Sequence, residues 1–573
     1  MIEPTWLGAA AALAAAPWGW QRLRLSRAKH PSLAGHQRMA KRVARWLPGY
    51  ALQAPQAFAL DGAPDHVLQA RLQGWQALSQ RLRAAAPQTL ALTAQAREGM
   101  PDLRLTGRYR VPYPFAELAR ELPVGAFWAR NDGPWLIDLD GNRFLDLTGS
   151  YGVNVLGLDF YKDTMEEGAR LGAALGPVLG GLHPCVADNV ARLKALSGLD
   201  DVTFHMSGTE AVMQAVRLAR YHTGRRYVVR FAGAYHGWWE DVQPGPGNPL
   251  PPRETYTLAE MSEATLEVLR TRRDIACVLV NPLQALHPNR AAPSDSTLAS
   301  GTRAAGFDRE RYTRWLQRLR EACTEAGIAL IFDEVFVGFR LALGGAQAYF
   351  GVQADLVCYG KTLGGGLPVG VVCGKRRWME RFRPEHPADL CFARGTFNAH
   401  PYVMGAMNAF LRALERPQVR AAYDGLDERW RARERRFNAA LEAAGVPVRV
   451  AGLSSIWTVL YTQPGRYNWL LQYYLRDAGL ALSWVGTGRL IFPIALEEAV
   501  FEEALQRFVR ACHLMQADGW WWRDETLPNT AWAKRLRRSL LREALAAWLS
   551  RREDGPDRAA DRAADTAARG GTA

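Results

Sequence analysis

The chain has 573 residues, 48% of them hydrophobic and 22% charged. Those are globular values, with apolar material for a large core and two or more domains, and they exclude a chain that is disordered throughout. The formal net charge of +14 raises the question of an acidic partner, but the cations are spread along the chain and thicken only at its two ends. No zinc-finger, basic-zipper or aromatic RNA-binding signature accompanies them, so nucleic acid is excluded as a partner.

Residues 5–20, TWLGAAAALAAAPWGW, form the first apolar run. It is shorter than the roughly 20 residues of a spanning helix, and alanine makes it only weakly hydrophobic. Glu3 and Pro17 make it a poor secretory signal. Two readings stand: an interfacial helix with Trp6, Trp18 and Trp20 at headgroup level beside Arg22, Arg24, Arg27 and Lys29, or a helix packed on the rest of the fold. Residues 21–100 keep helical spacing, as in HVLQARLQGWQALSQRLR, and contain no constellation of catalytic residues. In GPWLIDLDGNRFLDL (133–147) short apolar runs around Asp-Gly predict a hairpin.

Between 200 and 375 the pattern alternates. The runs DVTFHM, YVVRFAG, IACVLV, IALIFDEV, DLVCYG and PVGVVCG read as strands, separated by helical stretches such as TEAVMQAVRLARYH and RERYTRWLQRLREACTEAG. Continuous apolar runs predict strands covered on both faces, hence a mostly parallel sheet that binds ligands beyond the strands' carboxyl ends. The polar insertion 287–308 reads as a loop and the tail from Gly555 as disordered. Seven isolated cysteines, mostly within apolar runs, predict reduced core thiols in a cytoplasmic protein, with no metal or disulfide spacing.

Residues that carry chemistry stand at the strand exits. Lysine is scarce: Lys361 is one of seven, while arginine supplies nearly all of the 71 basic residues. A desolvated lysine can lose its proton and attack a carbonyl, which arginine cannot; a solvated turn lysine is the plain alternative. Ser207, Gly208 and Thr209 lie between a strand and a helix, where free amides, a glycine and two hydroxyls make either a phosphate cup or an ordinary helix cap. Asp333 ends an Ile/Leu strand and needs a cation or donors: a buried ion pair or a protonated ring nitrogen satisfies it equally. Tyr235, next to His236, can stack on a flat ligand or fill the core. Thr396 follows Gly395 at a turn.

A phosphate cup, an aromatic plate, an anion and an amine in this order have few joint explanations, and they are what pyridoxal phosphate needs. Over roughly Gly133 to Trp522 the chain resembles the class III, fold type I pyridoxal-phosphate aminotransferases, and in SGTEAVMQAVRLAR and FARGTFNAHP it is most similar to the glutamate-1-semialdehyde aminomutase branch. The resemblance implies an α/β fold: a large domain with a mostly parallel sheet flanked by helices, a smaller α+β domain, and helical N- and C-terminal extensions. The expected boundaries are a helical extension over 1–105, the small domain over 106–160 and 411–525, the cofactor-binding domain over 161–410, and a basic helix with its tail over 526–573. It implies that Lys361 carries the cofactor as a Schiff base and that Asp333 bonds its ring nitrogen. Tyr235 and Val335 would sandwich the ring. Ser207, Gly208 and Thr209 would hold the phosphate with Thr396 from a neighbouring subunit, in a homodimer. Gln284 would touch the ring hydroxyl, although Asn281 replaces the acid that relatives place three residues earlier.

The resemblance implies an aminotransferase acting between an amine donor and a carbonyl acceptor, with an aminomutase as the rival. Ser483 and Trp484 stand where relatives often place an arginine for a carboxylate, which points to an apolar substrate, with Arg489 or Arg394 as substitutes. Near the carboxyl end, Trp532, Leu536, Leu540, Leu541, Leu545 and Trp548 are expected on one helical face beside Lys534, Arg535, Arg537, Arg538 and Arg542. Such a helix suits an anionic membrane surface or docks on the protein. A non-catalytic scaffold that binds through its basic ends is the reading from another class.

Overall fold

The computed structural model describes residues 4–30, 36–109, 111–243, 245, 247–250, 252–285, 308–483 and 489–553. The readings of the insertion up to residue 307, of Trp484 and of the tail from Gly555 fall outside these residues, as do those of the Trp6 and Gln284 side chains.

Each of the six apolar runs is a strand: β1 (Asp201–His205), β2 (Tyr227–Phe231), β4 (Ile275–Val280), β5 (Ala329–Asp333), β6 (Leu356–Gly360) and β7 (Gly370–Gly374). A seventh, β3 (Thr255–Leu258), comes from the polar run TYTL, which alternation does not mark. They form one sheet in the order β1-β7-β6-β5-β4-β2-β3. Pairs β2–β3, β2–β4, β4–β5 and β5–β6 are parallel, whereas β7 is antiparallel to both β6 and β1. Every residue of β4, β5, β6 and β7 is buried, because helices cover both faces.

A second, mixed region has its own core. The hairpin Trp135–Ile137/Arg143–Asp146 pairs antiparallel, and Leu480–Ala481 joins it in parallel. The strands Val448–Leu453, Ile456–Tyr461 and Arg489–Ile491 form a separate antiparallel sheet. Trp135, Leu145, Trp430, Trp457, Phe501 and Trp520 pack there together with Phe58 and Trp75 from the helical N-terminal stretch. Buried Arg71 fastens that stretch: it pairs with Asp61 at 2.6 Å, donates to the Gly519 carbonyl at 3.0 Å, and lies over the Tyr467 and Trp520 rings.

The first helix, α1 (Pro4–Ala28), rests on the large domain by its last turn. The Ala28 carbonyl accepts from Ala259 N–H at 2.8 Å, and Arg24 pairs with Glu267 at 2.9 Å. Trp18 and Trp20 remain exposed, each under an arginine. A second helix, α2, covers Gln37–Trp46. The carboxyl-terminal helix, here α3, covers Asn529–Glu553 and corrects the single-face expectation. Trp532 and Leu536 are buried and Leu540 packs with them, while Leu541, Leu545 and Trp548 are exposed. At about 100° per residue Leu541 lies half a turn around from Trp532. The helix therefore has two apolar faces, and one is docked. No helix among the described residues is long and apolar enough to cross a membrane. All seven cysteines are free, and all but Cys185 are buried.

Candidate active site

β7 runs opposite to its neighbours, so its first residue, Gly370, pairs with the last residues of both β1 and β6, His205 and Gly360. The carboxyl ends of β1, β6, β5, β4 and β2 therefore share one edge of the sheet. The backbone there is packed to the limit: a Cβ on Gly370 would stand 1.9 Å from the Ser207 carbonyl oxygen.

Ser207 caps the helix Gly208–Thr223, its hydroxyl accepting from Glu210 N–H at 3.3 Å. The Glu210 carboxylate accepts from Met206 N–H at 2.9 Å. The cap does not preclude the phosphate cup, because the serine O–H is still a donor and the first-turn amides have no intrahelical acceptor. Val335 lies between two glycines. A Cβ on Gly208 would fall 2.6 Å from Val335 Cγ1, and one on Gly360 would fall 3.2 Å from the same atom. Larger residues would close this cradle.

Asp333 ends β5 buried. One carboxylate oxygen accepts from His236 Nδ1 at 2.8 Å, the other from Val335 N–H at 3.1 Å, and each keeps a second lone pair for another donor. His236 is the partner that the sequence placed nearby without a role; its Nε2 is buried with no hydrogen-bond partner among the described residues. Tyr235 is exposed, and burial of part of the ring, then the Asp333 charge, push its phenol pKa up. The Tyr235 carbonyl accepts from Asn281 Nδ2 at 3.3 Å, and Asn281 Oδ1 accepts from Leu283 N–H at 3.1 Å. Asn281 thus ties the β2 exit to the β4 exit, where Gln284 sits in the turn Pro282–Ala285.

Lys361 leaves β6 in the left-handed region, φ 47°, a conformation that costs a non-glycine residue of order 1–3 kcal/mol and has to be held by its surroundings. The restraint is visible: the Thr362 hydroxyl bonds Tyr161 OH at 2.5 Å, and that phenol accepts from Val155 N–H at 3.1 Å. The Lys361 ammonium lies 5.0 Å from the Phe336 ring centroid, and a Cβ on Gly152 would come 3.2 Å from Lys361 Cδ. Burial lowers the lysine pKa to about 8, with Asp333 opposing and Arg489 and Arg340 assisting. Arg340 is itself buried, bonded to the Asn154 and Phe492 carbonyls and to Ser455 Oγ at 2.6–2.8 Å. Ser483 is buried as well, while Arg394 and Thr396 are exposed on the segment after the strand His386–Leu390. The chain by itself does not enclose Thr396 with the other residues.

A half-buried amine with a lowered pKa, a carboxylate with lone pairs to spare, an amide-rich helix start and a cradle kept open by glycines fit pyridoxal phosphate. The class-III aminotransferase family model matches residues 118–240 and 304–512. The chain belongs to the class-III aminotransferases. Membership of that fold type I family makes it a pyridoxal-phosphate-dependent enzyme. Among its relatives, a glutamate-1-semialdehyde 2,1-aminomutase of Hydrogenobaculum sp. is 33% identical over 351 residues, covering 58% of this chain and 76% of the relative. A solved transaminase with pyridoxal phosphate bound is 28% identical, with TM-score 0.60 over 74% of this chain and 97% of its own. An omega-transaminase from Sphaerobacter thermophilus is 26% identical, with TM-score 0.58 over 75% and 98%.

Proposed function

We propose that this class-III enzyme moves an amino group on a small substrate with pyridoxal phosphate held at Lys361. The observation that carries the assignment is a half-buried lysine whose pKa desolvation lowers to about 8, at the same sheet edge as buried Asp333. Ser207, Gly208 and Thr209 offer donors for the phosphate, and Thr396 of a second copy completes the cup in a homodimer. Asp333, held in place by His236, would keep a proton on the ring nitrogen. Tyr235 and Val335 would border the ring, and Gln284 would be the residue to meet its hydroxyl. The bound cofactor supplies an electron sink for charge released at the substrate carbon. With the group bound, the Lys361 amine would serve as the base that takes and returns the proton at the substrate carbon.

Two finer readings remain distinct. Intramolecular transfer, as in an aminomutase, is supported by the names of the curated relatives and by two arginines close enough to act on Lys361, a field suited to a carboxylate-bearing substrate. Transfer between two substrates is supported by the solved transaminases and by uncharged, buried Ser483, which suits an apolar amine. Reduced thiols fit a cytoplasmic location. Purified enzyme given a single amino-aldehyde and no donor decides: product under those conditions means intramolecular transfer, and a requirement for added donor means an aminotransferase. Lys361→Ala abolishes turnover and the borohydride-sensitive absorbance of an imine-linked cofactor at the violet edge of the visible. Retention of both sinks the assignment.

A further inference from the structure

Away from the active site, the segment that follows helix α2 meets the middle of α3. Tyr50, shortly after α2, donates to Glu543 on α3 at 3.5 Å. Glu543 also receives buried Arg466 at 2.8 and 2.9 Å and Ser539 Oγ at 2.8 Å. The inner face of α3 is thereby clamped to the protein. Its outer face carries Leu541, 70% exposed, and Leu545, 56% exposed, followed by Trp548. Lys534, Arg537, Arg538 and Arg542 are exposed around this ridge, and among the described residues none of them pairs with a carboxylate. On α2, Met39 and Trp46 are exposed, the latter by 70%. Arg38, Arg42 and Arg45 are exposed between and beside them, again without a carboxylate partner among the described residues.

We propose that α2 and the outer face of α3 together dock on an anionic lipid surface. Leucine and tryptophan seek a hydrocarbon boundary, and seven cations seek phosphates. An anionic bilayer offers both in one plane. A second copy of the chain would bring like charges face to face. Nucleic acid offers phosphates but no apolar layer for two leucines. The contact is peripheral, since no described helix can span. Arginine and lysine stems lie along the apolar ridge while their charged ends reach the headgroups. This inference does not rest on the amino-transfer reading.

The test is flotation of the full-length, cofactor-loaded protein with phosphatidylcholine vesicles, with and without phosphatidylglycerol, at low and high salt. The expected result is flotation only with phosphatidylglycerol, lost in high salt. Arg538→Gln with Arg542→Gln lowers partitioning about 25-fold, at roughly fivefold per cation near the surface. Leu541→Ser with Leu545→Ser abolishes flotation with an unchanged melting temperature and cofactor spectrum. Absence of flotation by the parent at low salt, equal flotation on pure phosphatidylcholine, or variants that float as well as the parent overturns the proposal. So does a drop in the assembly's mass in solution when the two leucines are replaced, which assigns the face to a second copy.

Discussion

At Lys361 burial and charge pull in opposite directions. Leaving water favours the neutral amine, Asp333 favours the ammonium, and Arg489 and Arg340 side with burial; the sum sets the pKa at about 8 against an ordinary 10.5. Between those two values the unfolded chain holds more protons than the folded one, so this group's contribution to the stability of cofactor-free protein improves as pH rises from 8 toward 10.5. Reactivity follows the same balance, because only the neutral amine attacks an aldehyde. Covalent capture of pyridoxal phosphate by the cofactor-free protein, followed by absorbance, therefore rises through a midpoint near pH 8. Asp333→Asn removes the charge that holds the ammonium form, and its midpoint moves below that of the parent. A midpoint that stays put or rises contradicts this account of the site's electrostatics.

At the level of elements, the site depends on how closely β7 approaches the start of the helix after β1. At Gly370 a Cβ would meet the Ser207 carbonyl, which is backbone; at Gly374, the other end of β7, it would meet the flexible ends of Leu356 and Met379. Gly370→Ala is expected to destabilise by about 1–3 kcal/mol or more and to displace Ser207, weakening cofactor binding. Gly374→Ala destabilises without that loss, and melts and cofactor titrations on the pair separate the two effects. Strands β4 to β7 were legible because burial on both faces writes them as continuous apolar runs. The direction of β7 was not, since nothing within GVVCG encodes it, and TYTL is too short and polar to announce β3. The residues of the candidate site were legible as strand-end chemistry, but their partners were not: His236 meets Asp333 across 97 positions and Tyr161 meets Thr362 across 201. On α3 the apolar residues were visible, while their division between a docked and an open face follows from what packs against the first two turns.

For the whole molecule, one chain leaves the candidate site open. Thr396 is exposed, and so are Trp238, three residues after Tyr235, at 70% and Phe392, four residues before Thr396, at 69%. A two-fold dimer would cover these rings and bring the partner subunit's Thr396 to the phosphate cup. Sharing of this kind has a consequence that no single-chain site can imitate. On the proposed roles, Lys361→Ala would leave no amine for the cofactor and Thr396→Glu would place a like charge against the phosphate, so each variant alone is expected to be inactive. In a mixed dimer, the chain bearing Thr396→Glu still has its own Lys361 and receives an intact threonine from its partner, restoring one site of two. Random mixing makes half of the dimers hybrid, so roughly a quarter of parental activity returns on co-refolding the two inactive variants if the interface is a closed two-fold one. If each chain completes its own site, the mixture stays as inactive as its components.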